Sequence, residues 1–209
     1  MYIGEKKLED WGIVTSFSIG DAPIRTKEYT VPGRHGTIDA SESLTGYPIY
    51  GDRPIVINIL AHGKTPEEYQ VLYDEINKYC HGKTRKIVFP FDSEYYYEGR
   101  MQVSISQSDN SRGEVTITAT CYPYALKENV TYIDASSKST KERYITLTNS
   151  GMPTKVTVTT DAKITIIRGS SEKTLSAGNY TLTPLLTDDE IITVSGAATV
   201  QFSYQEGKL

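Results

Sequence analysis

The sequence is poor in the residues that usually announce chemistry. It has two cysteines, Cys80 and Cys121, one tryptophan and three histidines, His35, His62 and His81. Two cysteines cannot build a disulfide framework, and a reducing compartment would keep them as buried, inert thiols. Cys80 and His81 are adjacent but lack the four-ligand spacing of a zinc site. No apolar run approaches the roughly 18 residues of a membrane-spanning helix. The opening "MYIGEKKLEDWG" carries charges where a signal peptide needs an apolar core, so folding in a cytoplasm is expected. There is no basic excess either. The net charge is −4, which argues against a nucleic-acid binder working through a basic surface.

Catalytic constellations are missing as well. The histidines fall in no H-E-x-x-H pattern, and there is neither a nucleophile elbow nor a phosphate loop. Asp39 and Glu42 are close in sequence, but glycosidase carboxylates come from separate parts of a fold. They read as polar side chains on an exposed loop. No cofactor and no enzymatic activity are expected.

What is abundant is tyrosine, 16 against 4 phenylalanines. A tyrosine ring buries apolar area while its hydroxyl keeps a partner or water, which suits sheet faces and subunit contacts. Strand-period alternation runs through most of the chain. "GIVTSFSIG" places Ile13, Thr15, Phe17 and Ile19 on one face. "RPIVINIL" is β-branched and apolar. "KIVFPF" contains a proline, which predicts an edge or a bulge. "EGRMQVSISQ" and "GEVTITATCY" flank the turn-forming "SDNSRG" and predict a hairpin with one buried face. "SEYYYEG" (93–99) raises a saccharide-stacking question, but consecutive tyrosines in a strand point to alternate faces and cannot line one platform.

One helix is predicted, over 66–81. Thr65 is its N-cap, Pro66 its first residue, and Glu68 completes a capping box. Tyr69, Leu72, Ile76 and either Tyr79 or Cys80 form the apolar stripe, and Gly82 suits the C-terminal cap. After "CYPYALKEN" the texture becomes serine- and threonine-rich, with turn signals about every ten residues, which suggests an antiparallel sandwich or jelly roll. The predicted division is 1–130 and 131–209. The second part has few aromatics (Tyr132, Tyr144, Tyr180, Phe202 and Tyr204), and no exposed aromatic platform is visible in it.

The stretch "YTVPGRHGTIDASESLTGYPIYGDRPIVINI" (29–59) is the longest irregular segment. It reads as a strand, a turn permitted by Gly33 and Gly36, an extended loop or arm over 32–53, and a return strand from about Arg53. So long an excursion is usually functional or an interaction arm.

Taken in order, these segments resemble the distal tail proteins of long-tailed, non-contractile phages and prophages. "PGRHGTID" matches the family's P-G-R-x-G-x-x-D pattern at Pro32, Gly33, Arg34, Gly36 and Asp39. "YGDRPIVINIL", the single helix followed by "KIVFPFDSEYYYEGRM", and the closing "GEVTITATCYPYALKEN" follow in the family's order. The resemblance covers residues 10–130, and the remainder by texture only. It implies an N-terminal β-sandwich ring domain with one helix and a C-terminal galectin-like or jelly-roll sandwich. It implies a homohexamer, single or stacked, at the distal end of the tail in the virion, assembled in the bacterial host cytoplasm. The implied partners are the tail tube protein, the tail-associated lysin or tail-tip protein, and receptor-binding or baseplate proteins on the C-terminal domain. Sequence-specific nucleic-acid binding and membrane insertion are not implied. The expected assembly residues are Arg34, His35, Gly36, Asp39, Tyr47, Tyr50, Arg53 and Tyr96, with the two arginines pairing with carboxylates of a neighbour. The alternative reading is a carbohydrate-binding sandwich contacting the host cell surface.

Overall fold

The computed structural model describes residues 1–62, 65–109 and 112–209, except for the side chains of 61, 62, 66, 106–109 and 112. The chain is mainly β with one helix and divides into two compact units, Met1–Ala125 and Leu126–Leu209.

The first unit contains β1 (Tyr2–Ile3), β2 (Lys6–Lys7), β3 (Ile13–Ile19), β4 (Glu28–Thr30), β5 (Thr37–Asp39), β6 (Arg53–His62), α1 (Pro66–Cys80), β7 (Thr84–Val88), β8 (Tyr95–Asp109) and β9 (Arg112–Cys121). Its main sheet runs in the order β2-β1-β7-β8-β9-β6-β3. That order forces the sheet to curl. Laid flat, β2 and β3 would lie six strand spacings apart, about 29 Å. The chain joins them through residues 8–12, which span at most roughly 21 Å, and Leu8–Asp10 is a compact 3₁₀ turn. The sheet therefore folds back on itself, and Phe17 of β3 packs on Phe89 and Phe91, just after β7, at 5.1 and 6.0 Å between ring centres. The two halves of the curled sheet enclose one core, with Ile55, Ile57, Ile59, Met101, Ile117 and Ile87 fully buried.

The helix closes the open side of this core. Thr65 Oγ1 accepts from Glu68 N, and Glu68 Oε2 accepts from Thr65 N at 3.0 Å, so two orphan donors of the first turn are satisfied. Tyr69, Leu72, Ile76 and Cys80 are the buried stripe, while Tyr79 is only half-buried beside the ring of Trp11. Replacing Thr65 with alanine should lower stability by about 1 kcal/mol in denaturant titration, because the cap alone is lost.

Two strand expectations need correction. In β3 the inward residues are Val14, Phe17 and Ile19, not Ile13, Thr15, Phe17 and Ile19. A register shift between Val14 and Ser16 inserts Thr15 as an extra residue, so Val14 faces Ile59 while Phe17 and Ile19 face Ile57 and Ile55. A bulge reverses side-chain parity, and Ile13 is left exposed. In "KIVFPF", Pro90 is neither at an edge nor in a bulge of a strand. β7 ends at Val88, and Pro90 opens a 3₁₀ turn, where its missing N–H goes unneeded. The predicted β8–β9 hairpin forms, with Met101, Val103, Val115, Ile117, Ala119 and Cys121 on the buried face, while Ile105, expected to alternate with Met101 and Val103, is exposed near the strand's far end. Its turn at 110–111 lies outside the described residues.

A short strand, β10 (Ala125–Lys127), leads into the second unit. There follow β11 (Thr131–Asp134), β12 (Arg143–Leu147), β13 (Thr157–Thr160), β14 (Ile164–Arg168), β15 (Ser171–Leu175), β16 (Gly178–Thr181), β17 (Glu190–Ser195), β18 (Val200–Tyr204) and β19 (Gly207–Lys208). Two four-stranded antiparallel sheets, β11-β18-β13-β16 and β12-β17-β14-β15, form a sandwich. Their inner faces supply the core: Val158, Val200, Phe202 and Tyr204 from one sheet, and Leu147, Ile164, Ile166, Ile192 and Val194 from the other. The runs "EKTLSAGNYTLTP" and "EIITVSGAATVQFSYQ" each supply two strands, one to each sheet, so the chain switches layer at Ser176–Ala177 and again at 196–199.

Candidate assembly site

The irregular stretch is more ordered, and begins earlier, than a loop over 32–53. The chain leaves the main sheet after Ile19 and returns at Arg53. Its base is closed by backbone bonds from Gly20 N to Pro54 O at 2.8 Å and from Gly51 N to Pro23 O at 2.7 Å. A bridge between Ile24 and Tyr50, with Arg25 N donating to Ile49 O at 2.8 Å, continues the stem. Beyond it, β4 and β5 pair as a separate two-stranded ribbon. At the tip, Gly33 and Gly36 have φ of 80° and 75°, conformations that a side chain would strain. The excursion is thus a β-hairpin arm whose hydrogen bonds are made within itself.

This geometry gathers some predicted residues and separates others. Arg34, His35 and Gly36 form the exposed tip. Asp39 ends β5, where Ser41 N and Ser41 Oγ donate to its Oδ1. Those two bonds, the hydroxyl first, hold its carboxyl below the ordinary range and give it a turn-forming role. Tyr47 and Tyr50 sit at the base, where Tyr50 meets Tyr124 edge-on at 5.8 Å. Tyr122 also packs on Tyr124, at 5.8 Å between ring centres. Burial, reinforced by Tyr50, Tyr122 and Tyr47, pushes the Tyr124 hydroxyl up to about 12, so Tyr124 stays neutral.

Arg53 and Tyr96 lie on strands of the main sheet, Arg53 where the arm rejoins it. Arg53 is only 9% exposed, packs over the Tyr97 ring at 5.7 Å, and its Nε finds no hydrogen-bond partner among the described residues. It is a sheet residue paired with Cys121, at the point where the chain returns from the arm. Tyr96 is half-buried on β8 beneath the Lys86 ammonium, 3.9 Å from the ring centre.

Sequence reasoning missed the apolar side chains of the arm. Ile24, Tyr29, Val31 and Leu44 are all exposed, Leu44 at 98%. The signal was available: a leucine inside the polar turn "ASESLTG" has no strand or helix face to occupy. Such residues on an arm leave apolar area in water in a single chain, a condition that association relieves.

Nothing in the described residues resembles a reactive centre. No group of three or more His, Cys, Asp or Glu side chains is placed to hold a metal ion. No described helix is long and apolar enough to cross a membrane. Burial pushes the Cys80 and Cys121 thiols up to about 11 and about 12. Neither thiol should react with a soluble disulfide reagent in the native protein at neutral pH, and both should react after unfolding. Rapid native labelling would contradict the packing described.

No protein-family model matches the sequence, and no curated protein matches it. Among solved structures, the chain is similar to the Dit protein of phage SPP1, described as a paradigm of the hub adsorption apparatus in phages that infect Gram-positive bacteria. The likeness covers 99% of this chain and 98% of that one, with a TM-score of 0.70 at 14% sequence identity. The likeness spans both units of this chain.

Proposed function

We propose that this chain is a distal tail protein, a structural hub at the tip of a long non-contractile phage tail. Six copies close into a ring that joins the tail tube to the tail-tip proteins. The observation that carries this reading is the full-length likeness to a phage hub protein, with the self-bonded arm as its local support. A ring needs a heterologous interface, in which one surface of a subunit meets a different surface of the next. The arm offers one such surface through Ile24, Tyr29, Val31 and Leu44. The edge of β3, which pairs only with β6 among the described residues, offers another, with Ile13 and nearby Phe91 exposed. Unpaired strand edges of this kind accept partner strands. The arm residues Arg34, His35, Gly36 and Asp39 belong to this contact, with Tyr47 and Tyr50 setting its base. The role is structural, and no catalytic step is assigned.

The double variant Tyr29→Asp, Leu44→Asp tests the role of the arm. Both positions are solvent-exposed, so the thermal midpoint should move by no more than a few degrees. Sedimentation should show loss of the higher assembly and a single-chain species. Assembly at wild-type concentration would remove the arm from the interface.

A further inference from the structure

We propose that the buried guanidinium of Arg53 receives a carboxylate from a second copy of this chain, and that Glu28 and Asp39 on that copy's arm supply it. The pair presupposes the ring proposed above and names one contact within it. In a single chain both partners carry uncompensated charge, of opposite sign.

Arg53 alternates along β6 with Ile55, Ile57 and Ile59, so it points to the buried face, where it keeps only 9% of its surface. Among the described residues its Nε has no hydrogen-bond partner, and its guanidinium packs on the Tyr97 ring. The Cys121 thiol on the paired strand supplies no anion, since burial pushes it up to about 12. Asp52 is exposed and lines a groove with Arg100, Gln102 and Thr120, which alternate with buried residues and so belong to the outer face. A cation taken out of water is strongly disfavoured until an anion joins it.

The ribbon has the converse fault. Glu28 stands directly opposite Asp39, and like charges so placed repel. Thr37 Oγ1 donates to Glu28 Oε2 at 3.1 Å, and Ser41 N and Oγ both donate to Asp39 Oδ1. Glu28 Oε1 and Asp39 Oδ2 are left open among the described residues. Lys27 and Tyr29 alternate onto the other face of the ribbon, where the ammonium lies 5.5 Å from the ring centre. The carboxylate face therefore has no cation of its own. A guanidinium donates along two parallel directions, which fits it to facing carboxylate oxygens.

The two partners are held apart within one chain. The stem is paired through Gly51 N to Pro23 O, Arg25 N to Ile49 O and the bridge between Ile24 and Tyr50. The ribbon starts beyond that stem, whereas Arg53 lies at its root. Each copy thus presents a donor at the root and acceptors further out. Those are two different surfaces, as a heterologous contact that closes by rotation requires.

Sedimentation of the full chain, with thermal unfolding of each variant, tests the pair. Arg53→Met keeps an unbranched side chain and removes the charge. It should weaken assembly roughly thirtyfold or more. The thermal midpoint of the single chain should stay level or rise, because an unpaired buried cation is gone. Glu28→Gln combined with Asp39→Asn should weaken assembly to a similar degree and leave the single chain folded. All three substitutions together should cost no more than Arg53→Met alone, since the contact can be lost only once. The proposal is overturned if either variant assembles like the wild type, or if the losses add. Acetate and phosphate are titrated alongside: if they saturably stabilise the single chain while the ribbon variant still assembles, a free anion is the occupant and the proposal fails. Should Arg53→Met not fold, the ribbon variant alone decides. Variants that assemble normally remove the pair and leave the ring standing, whereas a wild type that never assembles removes both.

Discussion

Glu206→Ala is expected to destabilise the second unit by about 3–5 kcal/mol, since it removes one partner of a buried charged network. Glu206 is 5% exposed. Its Oε1 accepts from Lys127 Nζ at 3.0 Å and from the Thr131 hydroxyl, and its Oε2 accepts from Ser150 Oγ at 3.3 Å. Further bonds join this cluster, because Lys127 N donates to Glu206 O and the Gln205 side-chain Nε2 donates to Lys127 O. The carboxylate therefore ties the first residues of the unit to its last strands. Burial alone would raise its pKa, yet the bonds from Thr131 and Lys127 outweigh burial and hold it below the ordinary glutamate value. A depressed pKa means that the stabilisation is present above the ordinary carboxylate range and is lost as pH falls through the lower folded value. The wild type should thus lose stability more steeply with acid than Glu206→Gln, which keeps the shape and cannot titrate. Thermal unfolding followed between pH about 6 and about 3 measures the difference, and parallel curves would refute the role given to this carboxylate.

Gly99→Ala should cost the first unit about 2–4 kcal/mol, at the upper end of overpacking effects. Gly99 lies on β8 opposite Cys121, in the middle of the main sheet. A Cβ there would lie 2.4 Å from Thr120 O and 2.5 Å from Cys121 Sγ. The first obstacle is backbone and cannot rotate away, so β8 and β9 would have to separate at the Gly99–Cys121 end of their ladder. Urea titration should show a lower midpoint with an unchanged slope. Gly33→Ala makes the opposite comparison. Nothing lies within 4 Å of its Cβ, so only the strain of φ 80° applies, roughly 1 kcal/mol. A Gly99→Ala protein as stable as Gly33→Ala would contradict the packing.

Local chemistry made some elements legible. Thr65, Pro66 and Glu68 specify the start of α1 with neighbouring residues only, and the structure shows both bonds of the capping box. The β8–β9 hairpin is equally local, because its alternation and turn lie in one segment. Features that depend on distant partners were not legible. The parity of β3 turns on Thr15, whose extra place in the strand is defined only against β6. The burial of Arg53 depends on Tyr97 and Cys121, both far along the chain. The arm was visible as an interruption, but the ribbon inside it was not, since β4 and β5 are each only three residues long. The polar row on the outer face of the second unit was hidden for the same reason: Asp134, Thr159 and Gln201 come together only through strand order.

The central claim is that the chain closes into a ring, and its mass in solution tests this most directly. Purified full-length protein should sediment with six times the 23.3 kDa of one chain, or a stacked multiple, and show annular particles by electron microscopy. A single-chain mass at every concentration, both alone and with the tail tube protein, would contradict the account.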